Sequence, residues 1–134
     1  MTDSMIDATD VHVAYDEPVL QGASLHVEGG QIAALVGANG VGKTTMLKVI
    51  AGLTAPEKGA VRVDGIDVQV DRQRAQRRLA YLPQDTRFHE ALSPRQVLRF
   101  YAGLRQRLDA PVDALLEDVA LTDAADRPCG TLSG

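Results

Sequence analysis

Eight consecutive residues, Gly37-Ala38-Asn39-Gly40-Val41-Gly42-Lys43-Thr44, bring three glycines, a lysine and a hydroxyl together. The spacing satisfies GxxxxGK[ST], and each residue type has a task. Glycines put no Cβ in the way, so the backbone wraps closely around a phosphate. Successive N–H groups then point inward, at the positive end of the helix that follows. A lysine at position 43 reaches the β- and γ-phosphates of a nucleoside triphosphate, and a Thr44 hydroxyl ligates Mg²⁺. The bland alternative is a plain glycine turn ahead of a helix, and the flanking elements decide against it. By itself the motif leaves kinases, GTPases and ATPases open.

Before the loop, Ile32, Ala33, Ala34, Leu35 and Val36 form a continuous apolar run. It reads as a strand buried on both faces, as in a parallel sheet covered by helices. After the loop, a helix is expected over residues 43–51, with Met46, Leu47 and Ile50 on one face. Gly52 stops it and Pro56 lies just beyond. Strand, glycine loop and helix in that order are the setting in which the motif is a phosphate site.

The rest of the chain supplies a frame. Residues 11–15 and 23–27 read as strands, the second followed by the turn cluster Glu28-Gly29-Gly30. Residues 60–70 read as a hairpin. Val61 and Val63 lie on one arm, Ile66, Val68 and Val70 on the other, with Asp64-Gly65 at the turn. A short polar helix follows, on which Arg72, Arg74, Arg77 and Arg78 form a solvated face. Residues 79–82 make another short apolar strand, halted by Pro83. Beyond Asp85 the chain turns helical. Ser93, Pro94 and Gln96 form a capping box with proline at the first helical position. Val97, Tyr101, Leu104 and Leu108 follow at helical spacing, and Val112, Leu115, Leu116 and Val119 repeat it on a second helix. Both stripes read as core. Residues 1–84 are thus a mixed α/β module, and residues 85–134 begin a helical subdomain within the same domain.

Composition narrows the function. The 134 residues carry a net charge of −4, which argues against a nucleic-acid partner bound by phosphate neutralisation. Cys129 is the single cysteine, so neither an internal disulfide nor a cysteine metal cluster can form. His12, His26 and His89 have no metal-ligand spacing. The first five residues lack the basic and apolar regions of a secretory signal, and no apolar run approaches the ~20 residues of a membrane span.

The extended loop, Gly37 through Thr44 with Thr45 after it, closely resembles the Walker A segment of ATP-binding cassette (ABC) ATPases. Three further features fall in that family's order and approximate spacing. Tyr15 stands where the family's A-loop aromatic stacks on adenine. Gln84, in Tyr81-Leu82-Pro83-Gln84-Asp85, stands at the Q-loop glutamine. Leu132-Ser133-Gly134, approached through Asp126-Arg127-Pro128, looks like the opening of the LSGGQ signature.

The resemblance covers essentially the whole chain. It implies an α/β P-loop NTPase core with an N-terminal antiparallel β-subdomain and the start of a helical subdomain. It implies ATP and Mg²⁺ as ligands, with Gly37, Asn39, Gly40, Val41, Gly42, Lys43, Thr44 and Thr45 around the phosphates. Gln84 would position Mg²⁺ and the attacking water, and Ser133 would touch the γ-phosphate of a second, head-to-tail domain. The implied function is an ATP-binding subunit coupled to a separate transmembrane permease, on the cytoplasmic side of the inner membrane. Around Phe88 and on through Tyr101 the text resembles exporter-type ATPases, among them the copper-processing ATPase of nitrous-oxide reductase maturation. The alternatives are a non-transport ABC ATPase of translation or DNA repair, or a nucleotide-binding fragment that does not hydrolyse.

In the family, the Walker B strand, catalytic Glu and switch His come after the signature, past Gly134. The expectation is therefore an N-terminal fragment that binds nucleotide weakly at best and does not turn it over. Its central sheet should be incomplete, because the strands that link residues 32–36 to residues 79–82 are among those missing. Such a fragment should be only marginally folded.

Overall fold

A computed structural model describes residues 4–132. The chain divides into two compact units, Met1–Tyr81 and Leu82–Gly134.

The first unit contains β1 (Ser4–Ala14), β2 (Pro18–Glu28), α1 (Lys43–Ile50), β3 (Lys58–Val63), β4 (Ile66–Asp67) and α2 (Arg72–Gln76). The strands form one sheet in the order β2-β1-β3-β4, every neighbouring pair antiparallel. β1 is interior to the sheet and its inward phase changes halfway. Ala8 is buried, and so are Val11 and Val13, one step out of alternation. A register shift between Ala8 and Val11 absorbs the extra residue, with Asp10 at φ 50°. That is the action of a bulge, which returns both halves of a strand to the same core. Onto this face α1 packs Met46, Val49 and Ile50, joined by Val61, Val63 and Val68. Leu47, expected on the buried face of α1, is 44% exposed.

The hairpin forms as its turn pair dictates. Asp64 and Gly65 have φ 50° and 72°, the double positive φ of a type I′ turn. Its second arm is shorter than the alternation implied. The Asp67 carboxylate accepts from the backbone N–H groups of Gln69 and Val70, at 2.9 and 3.2 Å. This local turn competes with the ladder and ends β4.

The antiparallel β-subdomain and α1 are present, but two expected strands are not. Residues 32–36 and 79–82 carry no strand, and Ile32 and Val36 are 101% and 92% exposed. A strand exists only as a member of a ladder, and the four-stranded sheet of the described residues includes neither segment. The central sheet is incomplete, as expected.

The second unit contains α3 (Pro94–Leu104), α4 (Val112–Asp118) and two 3₁₀ turns, Thr122–Ala124 and Cys129–Thr131. The capping box is complete: Ser93 Oγ accepts from Gln96 N–H, and the Gln96 side chain accepts from Ser93 N–H at 2.9 Å. Arg95 clamps the unit. It donates to Asp126 at 2.8 Å and to Asp113, while its backbone N–H reaches the Ala125 carbonyl. The apolar stripes are only partly core. Val97 and Leu116 are buried, but Tyr101, Leu104, Leu108 and Val119 are more than half exposed. Among the described residues no helix is long and apolar enough to cross a membrane.

Candidate functional site

The site is built where β2 meets α1. Residues 37–42 form an irregular loop with a turn at Asn39 and Gly40, and Lys43 opens α1. Gly42 is the N-cap, at φ 101° and ψ 8°, and its carbonyl accepts the first helical bond, from Met46 N–H at 2.9 Å. It lies against the start of β2. A Cβ added to Gly42 would stand 2.7 Å from Leu20 Cδ2 and 3.2 Å from the Val19 carbonyl oxygen. Only glycine fits both the dihedral and the space. At Gly37 a Cβ would meet Val41 Cγ1 at 2.9 Å, so a second glycine lets the loop close on itself.

The start of α1 has no side-chain cap. The N–H groups of its first turn therefore face outward without an acceptor from a capping residue, at the positive end of the helix. Lys43 folds back over the loop. Its Nζ donates to the carbonyl oxygens of Gly37 and Ala38, at 2.7 and 2.6 Å. A lysine so placed is centred over the loop backbone, where a bound phosphate would meet it. Thr44 is exposed and Thr45 half-buried. Among the described residues neither hydroxyl is bonded elsewhere, so both are free to meet a ligand. This donor set suits a polyphosphate carrying its own cation: N–H groups and an ammonium for the anion, a hydroxyl for the metal. The described residues hold no cluster of His, Cys, Asp and Glu able to bind a metal without the nucleotide.

Tyr15 lies in the turn between β1 and β2, 61% exposed, with its N–H bonded to the Glu17 carbonyl at 3.1 Å. Ala14 pairs with Pro18 and Val13 with Leu20. Tyr15 thus stands at the same end of the β1–β2 pair that contacts Gly42. The first unit therefore contains both the loop of residues 37–45 and Tyr15, with Tyr15 at the strand end from which Val19 and Leu20 reach Gly42. Gln84 belongs to the second unit, exposed in a turn where Thr86 Oγ1 donates to the Pro83 carbonyl at 3.0 Å. Ser133 lies outside the described residues. Val19 and Leu20 emerge as residues that shape the site, and no local signal in the sequence singles them out.

The chain is similar to known proteins in both sequence and fold. A family model described as ABC transporter matches residues 20–134. The cytochrome c biogenesis ATP-binding export protein CcmA of Aromatoleum aromaticum is 38% identical over 121 residues, 88% of this chain and 56% of that protein. The Nod factor export ATP-binding protein I of Burkholderia thailandensis is 34% identical over 139 residues, 100% of this chain and 46% of that one. Among solved structures, an ATP-binding subunit of an ABC transporter superposes with a TM-score of 0.84 at 27% identity, over 96% of this chain and 56% of the other. The chain spans about half the length of the curated relatives it matches. With sequence and fold in agreement over nearly all its length, the chain belongs to the ABC transporter family, in the ATP-binding domain.

Proposed function

We propose that this chain is the ATP-binding part of an ABC exporter, coupling ATP binding and hydrolysis to transport through a separate membrane permease. The observation that supports this most directly is the loop ahead of α1, where an uncapped helix start, a glycine cradle and the Lys43 ammonium converge. In this reading the loop N–H groups hold the phosphates. Lys43 exchanges the Gly37 and Ala38 carbonyl oxygens for the β- and γ-phosphates. Thr44 gives its hydroxyl to Mg²⁺, Tyr15 stacks on the adenine, and Gln84 orients the attacking water beside the same ion. Mg²⁺, when bound, neutralises phosphate charge and fixes the phosphate geometry. Ser133 of one chain reaches the γ-phosphate held by another in a head-to-tail pair. The export direction draws on the names of CcmA and the Nod factor protein, both export ATP-binding proteins. The working place of such a subunit is the cytoplasmic side of the inner membrane, held there by the permease.

For the 134-residue chain alone the reading is weak nucleotide binding without turnover. A titration with a fluorescent ATP analogue and Mg²⁺ tests it, alongside phosphate release. A charge-assisted hydrogen bond is worth about 1.5–3 kcal/mol, so Lys43→Ala should weaken binding roughly ten- to a hundredfold. Phosphate release should match that of the variant. Equal binding by both proteins would remove the loop from the mechanism, and release well above Lys43→Ala would show that the chain hydrolyses ATP unaided.

A further inference from the structure

A hollow of about 420 Å³ opens beside the C-terminal end of α1, in the first unit. Val49, Val61 and Val68 line it and are themselves 1%, 0% and 5% exposed. Leu53, Pro56 and Val70 add apolar wall. Every lining residue falls within residues 49–72, so segments 32–36 and 79–82 contribute nothing to it. Pockets that hold small molecules run from about 300 to 1,000 Å³ and are apolar with a few polar groups.

Three residues with polar side chains also line the hollow: Thr54, Gln69 and Arg72. Among the described residues none of these side chains makes a hydrogen bond or ion pair. The Arg72 stem lies over Gly52, where an added Cβ would stand 3.1 Å from Arg72 Cγ. The acids nearest in sequence are already engaged. Asp67 accepts from the N–H groups of Gln69 and Val70, and Asp71 from that of Arg74. Carbonyl groups at the end of α1 are occupied as well. That of Lys48 accepts from Leu53 N–H at 2.8 Å, that of Val49 from Gly52 N–H at 3.0 Å, and that of Ala51 from Gln76 Nε2 at 2.9 Å. The hollow therefore offers a surplus of donors: a guanidinium fork, an amide and a hydroxyl. Arg72 is the only charged residue that lines it.

We propose that this hollow binds a small monocarboxylate, an apolar body of about six to ten carbons that bears one carboxyl group. Arg72 takes the carboxylate in a two-pronged, charge-assisted pair, which its planar fork suits. Thr54 and Gln69 supply further hydrogen bonds. The apolar body rests on Val61 and Val68 and shields Leu53 and Val70, now 58% and 85% exposed. A phosphate would gain the same fork, but the apolar walls leave its other oxygens without donors. The site is open and carries one charge, so a ligand of about ten heavy atoms should bind with a Kd of roughly 0.1–3 mM. The hollow lies at the opposite end of α1 from the phosphate loop and does not rest on the proposed transport function.

Octanoate is the probe, titrated into the isotopically labelled 134-residue chain and followed by amide chemical shifts. The expected result is a saturable set of shifts centred on residues 52–56 and 68–72. Octylammonium, of the same length and opposite charge, should bind at least about tenfold more weakly. Arg72→Gln keeps the stem that lies over Gly52 and should weaken octanoate at least about fivefold. Val70→Asp sets a like charge at an exposed position of the wall and should do the same by an independent route. Arg77→Gln removes an exposed arginine that does not line the hollow, and the affinity should not change. Circular dichroism checks the fold of each variant, and the comparison of ligands on the unaltered chain stands without them. The proposal is overturned if octanoate does not saturate by about 10 mM, or if octanol and octylammonium bind as well as octanoate. Indifference to both Arg72→Gln and Val70→Asp, or shifts centred on other residues, overturns it equally.

Discussion

Replacing Gly42 by alanine separates two reasons why a loop needs glycine. Gly42 has φ 101°, and a Cβ there would stand 2.7 Å from Leu20 Cδ2 and 3.2 Å from the Val19 carbonyl oxygen. Left-handed backbone costs an L-residue about 1–2 kcal/mol. The contact adds to it, because Leu20 is only 7% exposed and belongs to the core of the first unit. Forcing one extra carbon into packed surroundings costs about 1–3 kcal/mol. Gly40 is the control. Its φ is 82°, and a Cβ there would find no atom within 4 Å. Gly40→Ala should therefore cost only the backbone term, and Gly42→Ala about 2–5 kcal/mol in all. The difference between the two variants is the packing of β2 on the loop. Urea unfolding followed by far-ultraviolet circular dichroism measures both. A domain holds only about 5–15 kcal/mol, so the larger loss should be plain. Equal destabilisation by the two substitutions, or a larger effect at Gly40, would refute the reasoning.

The second unit offers two more tests. Arg95, hydrogen-bonded to Asp113 and adding its charge, holds the Asp113 carboxyl below the usual carboxylate range. A depressed folded-state pKa contributes stability that is complete above the unfolded value, about 3.9, and is lost as pH falls through the folded one. Asp113→Asn should therefore flatten the acid limb of the unit's stability below about pH 4, and an unaltered limb would count against the clamp. Ser93→Ala removes the Ser93 hydroxyl that accepts from Gln96 N–H. The loss should be about 1 kcal/mol, read as faster amide exchange in the first turn of α3; full protection there would show that the cap contributes nothing.

Some features were legible in consecutive residues. The glycines of residues 37–42 with Lys43 and Thr44, the Asp64-Gly65 turn and the Ser93/Gln96 capping box all appear where the sequence puts them. In each the deciding interactions are local: a dihedral that suits the residue, or a side chain reaching a backbone group a few positions away.

Other features depended on residues far along the chain. The alternation of residues 11–15 marks a strand, but the bulge at Asp10 that lets Ala8 and Val13 share a core shows only in the pairing of β1. Residues 32–36 have the composition of a buried strand and are neither buried nor paired. Leu104 and Leu108 have helical core spacing and lie 66% and 90% exposed. Hydrophobic pattern states what a segment would gain by burial, and the rest of the fold decides whether a surface exists to bury it. The same division runs through the site. The sequence by itself determined that a glycine-rich loop with a lysine opens a helix. Only the tertiary structure decided that Val19 and Leu20 close over Gly42, because packing at that point comes from a strand more than twenty residues away.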